Sequence, residues 1–586
     1  MNILLIYPYP LYDRSKSHED DISIVPIGAY YIAAVLKEHD YNVHVLNWFN
    51  IHKTPKRVVE ILREKKPDVI GFSILNANRW GGIEIARIAK QLNPQVKIVF
   101  GGVGASFLWK HFLDNFLEID FVVIGEAEHT FLALVKAIGR KDSANLKNIK
   151  GIAFRNSKGI HKTGGAAFID NLDDIPIPAK HFTYNHVISS RGCPGKCTFC
   201  GSPKFWGRRL RFRSPENFVH ELELLCSKGV NFFFFSDDTF TANKKRVVEI
   251  CKKIIEKDLD ITWFAISRVD CIDEDILCWM RKAGCTQISY GIESGSEKIR
   301  KKLGKPLDTE TIKRAFSLTY RFGILARAYL IYGSPGETWE TIEETVNLIK
   351  AIKPFICISY ILEIYPGTKL YSDFLKNSNA TDDIWLKKIE GICYFESDSI
   401  LTKDNVLAFG KRLREEHYGN LGSFAESLEL IAKNEFYVMH ADFCSRLAMT
   451  FSHGDYSKIE AIKEKTALAE ALFRKALSYA PNERAYLGLG HIKQREQRFQ
   501  QSADILYEGV KHFPKSEDLN ICLAISYMNR RKFDEALNYL LMFQDSHQAI
   551  RHIATCYKEL GSDDKELEFS EKAHRLQKAC SSTRRS

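Results

Sequence analysis

Three cysteines stand within eight residues, in the stretch Arg191-Gly192-Cys193-Pro194-Gly195-Lys196-Cys197-Thr198-Phe199-Cys200. The C-x3-C-x2-C spacing lets one short loop turn its thiolates onto a single centre, and Gly192, Pro194 and Gly195 permit so tight a turn. Thiolates are the usual ligands of iron–sulfur clusters. A four-iron cluster held by three of them keeps one iron open to another ligand. Alternative uses of such a trio are a zinc site or buried core cysteines. Zinc sites usually take four ligands in C-x2-C pairs, and no second pair lies nearby.

Residues 186–395 read as repeated β/α units around this loop. Val187 to Ser190 is a strand presenting it. A helix through Phe218 to Lys228 precedes strand Asn231 to Ser236, which ends in Asp237-Asp238. Strand Ile261 to Ser267 leads to Arg268 and Asp270. Strand Gln287 to Tyr290 leads to Gly291-Ile292-Glu293-Ser294-Gly295, and Ala328 to Tyr332 to Gly333-Ser334-Pro335-Gly336-Glu337-Thr338. The last strand ends at Tyr365-Pro366-Gly367-Thr368. About six such units predict a partial barrel, with polar groups at the carboxyl ends of strands, where β/α barrels keep their sites.

The trio and these strand ends together resemble the radical S-adenosylmethionine (SAM) superfamily. The resemblance implies that SAM chelates the open iron through its amino and carboxylate groups. It also implies that Asp237 or Asp238 serves the SAM amino group, Arg268 the carboxylate, and Glu293 and Ser294 the ribose or methionyl end. Gly333 to Glu337 would shape the SAM pocket, and Phe199 would lie near adenine. The bland reading of each acid is a strand-end residue beside a helix cap, a task open to Thr239 or Ser296.

Residues 1–140 alternate strands (Ile3–Tyr7, Val43–Leu46, Val69–Ile74, Lys97–Phe100, Phe121–Ile124) with helices (Ile27–Glu38, Pro55–Lys65, Ile83–Leu92). That order predicts a doubly wound parallel sheet covered on both faces. Its ligand would sit outside the carboxyl ends of the strands, where glycines cluster. Pro26-Ile27-Gly28, Ser73-x-Leu75, Gly101-Gly102 and Gly125-Glu126-x-Glu128 resemble the cobalamin-binding domain that precedes many radical SAM domains. By that resemblance Ser73, Leu75, Gly101 and Gly102 line the nucleotide tail of the corrinoid, with Gly125 and Glu126 also at the cofactor. No D-x-H-x-x-G follows the first strand, so cobalt would be base-off without a protein ligand. His18 lies in that loop without the motif and reads as a surface residue. Asn47 stands where relatives often carry Asp.

Residues 141–185 read as a linker with a hairpin turning at Asn156-Ser157-Lys158-Gly159, and 396–455 as a helical connector. In 456–586 a repeat emerges. Ala476-Leu477-Ser478-Tyr479-Ala480-Pro481 matches Gly509-Val510-Lys511-His512-Phe513-Pro514, and Arg498-Phe499 matches Lys532-Phe533, with a shorter unit beginning at Tyr557. This resembles tetratricopeptide repeats, stacked helix pairs whose concave face usually binds protein or peptide. A packing or dimerisation surface is the alternative.

The formal charge of +10 over 586 residues is modest and its basic residues are scattered, so nucleic-acid binding finds no support. The run from Trp206 to Arg213 could meet an anionic substrate or SAM, or be a solvated face. No apolar run is long enough to span a bilayer. Met1 to Pro8 reads as a buried strand rather than a signal peptide, and 14 cysteines without a secretion signal suggest a cytoplasmic chain.

The resemblance implies a cobalamin-dependent radical SAM methyltransferase. In that scheme an electron donor such as flavodoxin or ferredoxin reduces the [4Fe–4S] cluster, and SAM is cleaved to a 5′-deoxyadenosyl radical. Methylcobalamin then methylates an unactivated carbon. A cyclase or rearrangement enzyme using cobalamin for redox only, and a cobalamin-free radical SAM enzyme, stay open. Methylthiotransfer would need a second set of cluster cysteines ahead of Cys193, the first cysteine of the chain. A non-catalytic repeat scaffold would not need the trio. The repeats favour a peptide or carrier-protein partner.

Overall fold

The computed structural model describes residues 1–11, 25–49, 51, 55–142 and 144–583. His18 lies outside them. The chain divides into two compact units, 1–318 with 325–416, and 319–324 with 417–586.

The first unit holds two large sheets. In one, β1 (Asn2–Tyr7), β2 (Asn42–Asn47), β3 (Val69–Ser73), β4 (Lys97–Gly101) and β5 (Phe121–Val123) run parallel, in the order β2-β1-β3-β4-β5. Ile3, Leu4, Leu5 and Ile6 are all buried, because helices cover both faces of a parallel sheet and leave no polar side. The strand order reverses between β1 and β3, which opens a crevice at their carboxyl ends. The hairpin β6 (Ile152–Asn156) and β7 (Gly159–Lys162), expected in the linker, instead extends this sheet. Phe121 and Val123 pair antiparallel with Phe154 and Ile152. Helices Val103–Phe107, Trp109–Asn115 and Glu128–Gly139 also belong here, N-capped at Gly102, Leu108 and Ala127.

The second sheet begins with β8 (His186–Val187), after which the short antiparallel pair β9 (Ser190–Arg191) and β10 (Arg211–Phe212) stands apart. It consists of β8, β11 (Phe232–Phe235), β12 (Thr262–Ser267), β13 (Cys285–Glu293), β14 (Leu325–Tyr332) and β15 (Ile356–Ile361). These are parallel and in sequence order, the expected six-stranded partial barrel. On one face Phe233, Phe235, Trp263, Ala265, Ile288, Tyr290, Ala326, Ala328 and Leu330 are buried. Phe218 and Phe316, from the helices Pro215–Cys226 and Thr309–Arg321, pack onto Phe235 and Tyr290 there. Side-chain caps at Ser214, Asn243, Asp273, Thr338 and Thr368 start the helices after the loops and so fix where each strand-end loop stops.

The second unit is helical. Helices begin at Lys465, Phe499 and Phe533, 34 residues apart, and at Glu483 and Glu517 between them. Gly490 meets Leu506 and Gly509 meets Tyr486, so small residues let successive helices approach. Among the described residues no helix is long and apolar enough to cross a membrane.

Trp263 is fully buried, stacked on Phe235 at 4.3 Å, with its Nε1–H donating to Ala283 O at 2.7 Å. Trp263→Ala is expected to cost about 3–5 kcal/mol in this unit, read as a lower denaturant midpoint of its tryptophan-independent far-UV transition.

Candidate active site

The cysteine loop hangs on backbone bonds that reach across the barrel. Cys193 N–H donates to Gly207 O at 3.2 Å, and Thr198 N–H to Leu303 O at 2.9 Å. Thr198 O accepts from Leu370 N–H at 3.0 Å. Gly304, at φ +71°, passes so near that a Cβ would lie 2.4 Å from Lys196 O. A Cβ on Gly195 would stand 3.3 Å from Cys193 Sγ and 3.8 Å from Cys197 Sγ, so both sulfurs turn to the same side. Burial pushes the Cys200 thiol up to about 11 and raises Cys197 as well, with Lys305 and Arg268 pulling Cys197 back. As free thiols they stay protonated at neutral pH; a metal centre must displace those protons. Among the described residues no three His, Cys, Asp or Glu side chains close on a single ion.

Two ion pairs flank the loop. Lys305 Nζ lies 2.7 Å from Glu293 Oε1, both nearly buried. Arg268 grips Asp270 with two bonds, 2.9 and 2.8 Å. Lys305, Glu293 and Arg268 all act on Cys197, so both signs of charge stand beside the cluster loop. Phe199 packs against Ile299, Leu303, Leu362 and Leu370. Asp238 accepts from Ser202 Oγ, and the crowding of protein around its head raises its pKa.

Other expected contacts are taken up inside the protein. Asp237 is buried and accepts from Ser189 N–H (3.2 Å), Ser189 Oγ (2.9 Å) and Ser190 Oγ. It ties β11 to the segment ahead of the cysteines. Ser294 is buried against Thr345, with Oγ atoms 3.3 Å apart. Glu337 folds back on its own loop, accepting from Gly333 N–H and Ser334 N–H, with Gly333 at φ +74°. Burial lifts its pKa to about 7, against those two donors.

A cavity of about 680 Å³ opens at the carboxyl ends of the first sheet. Ser73, Leu75, Gly101, Gly102, Gly125 and Glu126 line one side; Phe199, Gly201, Ser202, Trp206, Asp238 and Tyr365 line the other. The crevice of the first sheet and the cysteine loop thus share one space. Gly102 has φ +90°, and a Cβ there would lie 2.9 Å from Ile74 O. Asn78 Oδ1 accepts from Leu75 N–H at 2.8 Å and holds the Ser73–Leu75 turn open.

Glu126 lines this cavity, but its carboxylate is engaged elsewhere. Arg211 binds it at 2.7 and 2.9 Å, Ile169 N–H donates to it at 2.6 Å, and Arg191 Nη1 faces it at 3.4 Å. Arg191 also pairs with Glu128. All four charged side chains are buried. Burial opposes charge on both partners. Even so, the pair holds Arg191 above and Glu128 below their ordinary values. The basic run after the cysteines is therefore neither a solvated face nor a substrate clamp at its inner end. Arg211 is in this seam, and Arg213 pairs with buried Glu221.

Comparison with known proteins agrees with this geometry. The profile of the radical SAM superfamily matches residues 187–349, and that of the B12 binding domain residues 22–135. An uncharacterized methyltransferase of Pyrococcus horikoshii is 32% identical over 374 residues, which cover 62% of this chain and 81% of that protein. The chain belongs to the radical SAM superfamily. An anaerobic magnesium-protoporphyrin IX monomethyl ester cyclase of Cereibacter sphaeroides is 29% identical, with 63% of each chain covered. Among solved structures, the radical SAM methyltransferase TsrM of Kitasatospora setae, with cobalamin and a [4Fe–4S] cluster bound, matches in fold. Its TM-score is 0.57 at 17% identity, covering 81% of this chain and 99% of that one.

As a radical SAM enzyme with a B12-binding domain, the chain uses a [4Fe–4S] cluster, SAM and cobalamin. Its residues fit them. Three thiols on a glycine-backed loop suit three irons. Paired charges at Glu293–Lys305 and Arg268–Asp270 offer partners to a zwitterion. The Gly101–Gly102 turn presents bare backbone to the cavity. Lys305 and Arg191 were given no role by the sequence, and Arg211 one only as a member of the Trp206–Arg213 run. Their signal was position: Lys305 follows the obligatory Gly304, and Arg191 adjoins the cysteine loop.

Removing Arg191 leaves Glu128 buried and unpaired, so Arg191→Met is expected to cost about 3–5 kcal/mol and lower iron content. Arg191→Met with Glu128→Leu should recover most of that stability. Both are read by chemical denaturation and iron assay. Glu337 makes a second case. Its folded pKa, about 7, lies above the ordinary 4.5, so folding prefers its proton. Its stabilising contribution is complete below about pH 4.5 and is lost as pH rises through 7. Glu337→Gln should therefore gain up to about 3 kcal/mol relative to wild type between pH 4.5 and 8, measured as paired unfolding curves across that range.

Proposed function

We propose that this radical SAM enzyme transfers a methyl group to a carbon that carries no activating group. The carrying observation is the single cavity that brings the B12-domain crevice (Ser73, Leu75, Gly102) against the cluster loop (Phe199, Ser202). Bound together there, cluster, SAM and cobalamin supply one-electron chemistry and a transferable methyl group. The protein's part is placement. Cys193, Cys197 and Cys200 hold the cluster, Lys305–Glu293 and Arg268–Asp270 orient SAM, and the Gly101–Gly102 turn seats the corrinoid. Asp237 and the Arg191–Glu128 pair keep the loop in register with both. An external one-electron donor such as a flavodoxin or ferredoxin is required, and the helical repeats of residues 456–586 would hold a peptide or carrier-protein partner. Similarity to the cyclase favours one second reading, radical cyclisation with cobalamin at the same site.

Anaerobic purification from a corrinoid-fed host should give about four irons and one corrinoid per chain. Reduction with SAM should then yield both S-adenosylhomocysteine and 5′-deoxyadenosine. Cys197→Ala should lose the cluster and 5′-deoxyadenosine while keeping the corrinoid. A cluster without corrinoid would overturn the proposal, and 5′-deoxyadenosine without S-adenosylhomocysteine would favour cyclisation.

A further inference from the structure

The face of the barrel sheet opposite its helix-covered side is only partly closed: Gln287 and Ser289 are buried, but Phe234, Phe264, Arg327 and Tyr329 are half-buried. Strand register sets its side chains in rows. His186, Phe234, Phe264 and Gln287 stand side by side on β8, β11, β12 and β13. Ile266, Ser289, Arg327 and Ile356 stand in the next row, and Gly291, Tyr329 and Ile358 above them. Gly291 is the level of the Glu293–Lys305 pair, since a Cβ on it would touch both side chains. The rows therefore descend from the cluster into the barrel.

One wall of this lumen is aromatic. Phe234 stacks on His186 at 4.4 Å, and Phe232 and Phe264 meet edge to face at 4.8 Å. The far wall carries Tyr329 stacked on Tyr360 at 6.2 Å. Ile266 and Tyr360 are each 42% exposed, although both lie on a sheet whose other face is buried. Such wide apolar exposure inside a concave surface marks a place for a ligand body.

Arg327 is the charged group of these rows. No carboxylate among the described residues pairs with it. Its hydrogen bond is a long one, 3.4 Å, to the Tyr329 hydroxyl, and its Nε is buried with no partner. A guanidinium left unpaired between apolar walls is costly, and its planar fork matches an oxyanion. We propose that the barrel lumen binds a substrate with a flat apolar or aromatic body and one oxyanion, carboxylate or phosphate, anchored on Arg327. Arg327 lies two residues below Tyr329 on β14, so its Cα is about 7 Å below the Gly291 level. The substrate's body points up toward the cluster loop. Near the cysteine loop, Arg268 pairs with Asp270 and Lys305 with Glu293; Arg327 has no such carboxylate among the described residues. This inference rests on the methyl-transfer reading for the chemistry, not for the binding.

The test uses full-length enzyme loaded with cluster and corrinoid, which keeps the B12 crevice filled. Binding of 1-naphthaleneacetate, 1-naphthyl phosphate and the neutral 1-naphthaleneacetamide is measured by anaerobic calorimetry. At least one anion should bind about tenfold or more tightly than the amide, and which one does so separates carboxylate from phosphate. Arg327→Gln should abolish that preference with amide affinity within twofold, and Arg327→Lys should restore part of it. Iron, corrinoid and melting temperature confirm that each variant is intact. The inference is overturned if wild type shows no anion preference, or if Arg327→Gln keeps it. Loss of corrinoid loading or of S-adenosylhomocysteine formation in wild type would instead count against the methyl-transfer reading.

Discussion

The seam of Glu126 and Glu128 against Arg191 and Arg211 fixes how the cluster loop sits over the B12 domain. Glu126 and Glu128 stand at the end of β5 in the first sheet, and Arg191 and Arg211 lie on β9 and β10 beside the cysteines. Four charges removed from water carry a large desolvation cost, which their mutual attraction offsets only when the geometry is held. An apolar seam could slide and still remain buried. This one cannot, because a shift strands a charge. Arg191 is also sandwiched between Tyr31 at 5.5 Å and Trp206 at 4.9 Å, so aromatic faces restrict its guanidinium on the remaining sides. The outcome is registry: the residue preceding Gly192-Cys193 is tied to the same turn that bounds the crevice of the first sheet.

The architecture was legible in the sequence to the extent that it depends on periodicity. The apolar runs of β1 and β11 and the strand–helix alternation gave both parallel sheets, and the cysteine spacing gave the loop. The 34-residue spacing of helices in the second unit followed from the proline and Arg/Lys-Phe repeats. Charge partners were less readable. Asp237, Glu126 and Arg211 are of the right types for cofactor binding and stand at strand ends. Their charges are nevertheless consumed by Ser189 and Ser190, by one another, and by Ile169. Residue type shows what a side chain can bind; only the fold shows what reaches it first. The hairpin of β6 and β7 was misplaced for a similar reason. A hairpin's own residues do not specify which sheet edge accepts it, and here the edge belongs to β5.

The crevice of the first sheet and the cysteine loop both rely on backbone left bare. At Gly102 the left-handed φ and the approach of Ile74 O exclude a side chain, and at Gly304 the approach of Lys196 O does the same. Glycines weaken a fold through the conformational entropy they lose. Here that cost is tolerated because one gives the crevice its floor and the other lets the Leu303 carbonyl reach Thr198. Neighbouring rigid contacts compensate: Asn78 braces the first turn and Leu370 the cysteine loop.

Glu293 shows how strain can serve position. It is a buried, non-glycine residue at φ +69°, at a point where the pairing of β13 with β14 slips by a residue. Such a conformation costs on the order of 1–3 kcal/mol and persists only where surroundings enforce it. Three do. Lys305 holds the carboxylate at 2.7 Å, and the hydrogen in place of a side chain on Gly291 makes room for that pair. Gly295 then lets the chain pass close over the Thr345 backbone. Without the bulge, strand alternation would set the Glu293 side chain in register with Gly291, two residues along. With it, the carboxylate folds back over Gly291 beside Cys197. The strained turn thus goes with a carboxylate held over Gly291 by Lys305, next to the cysteine loop.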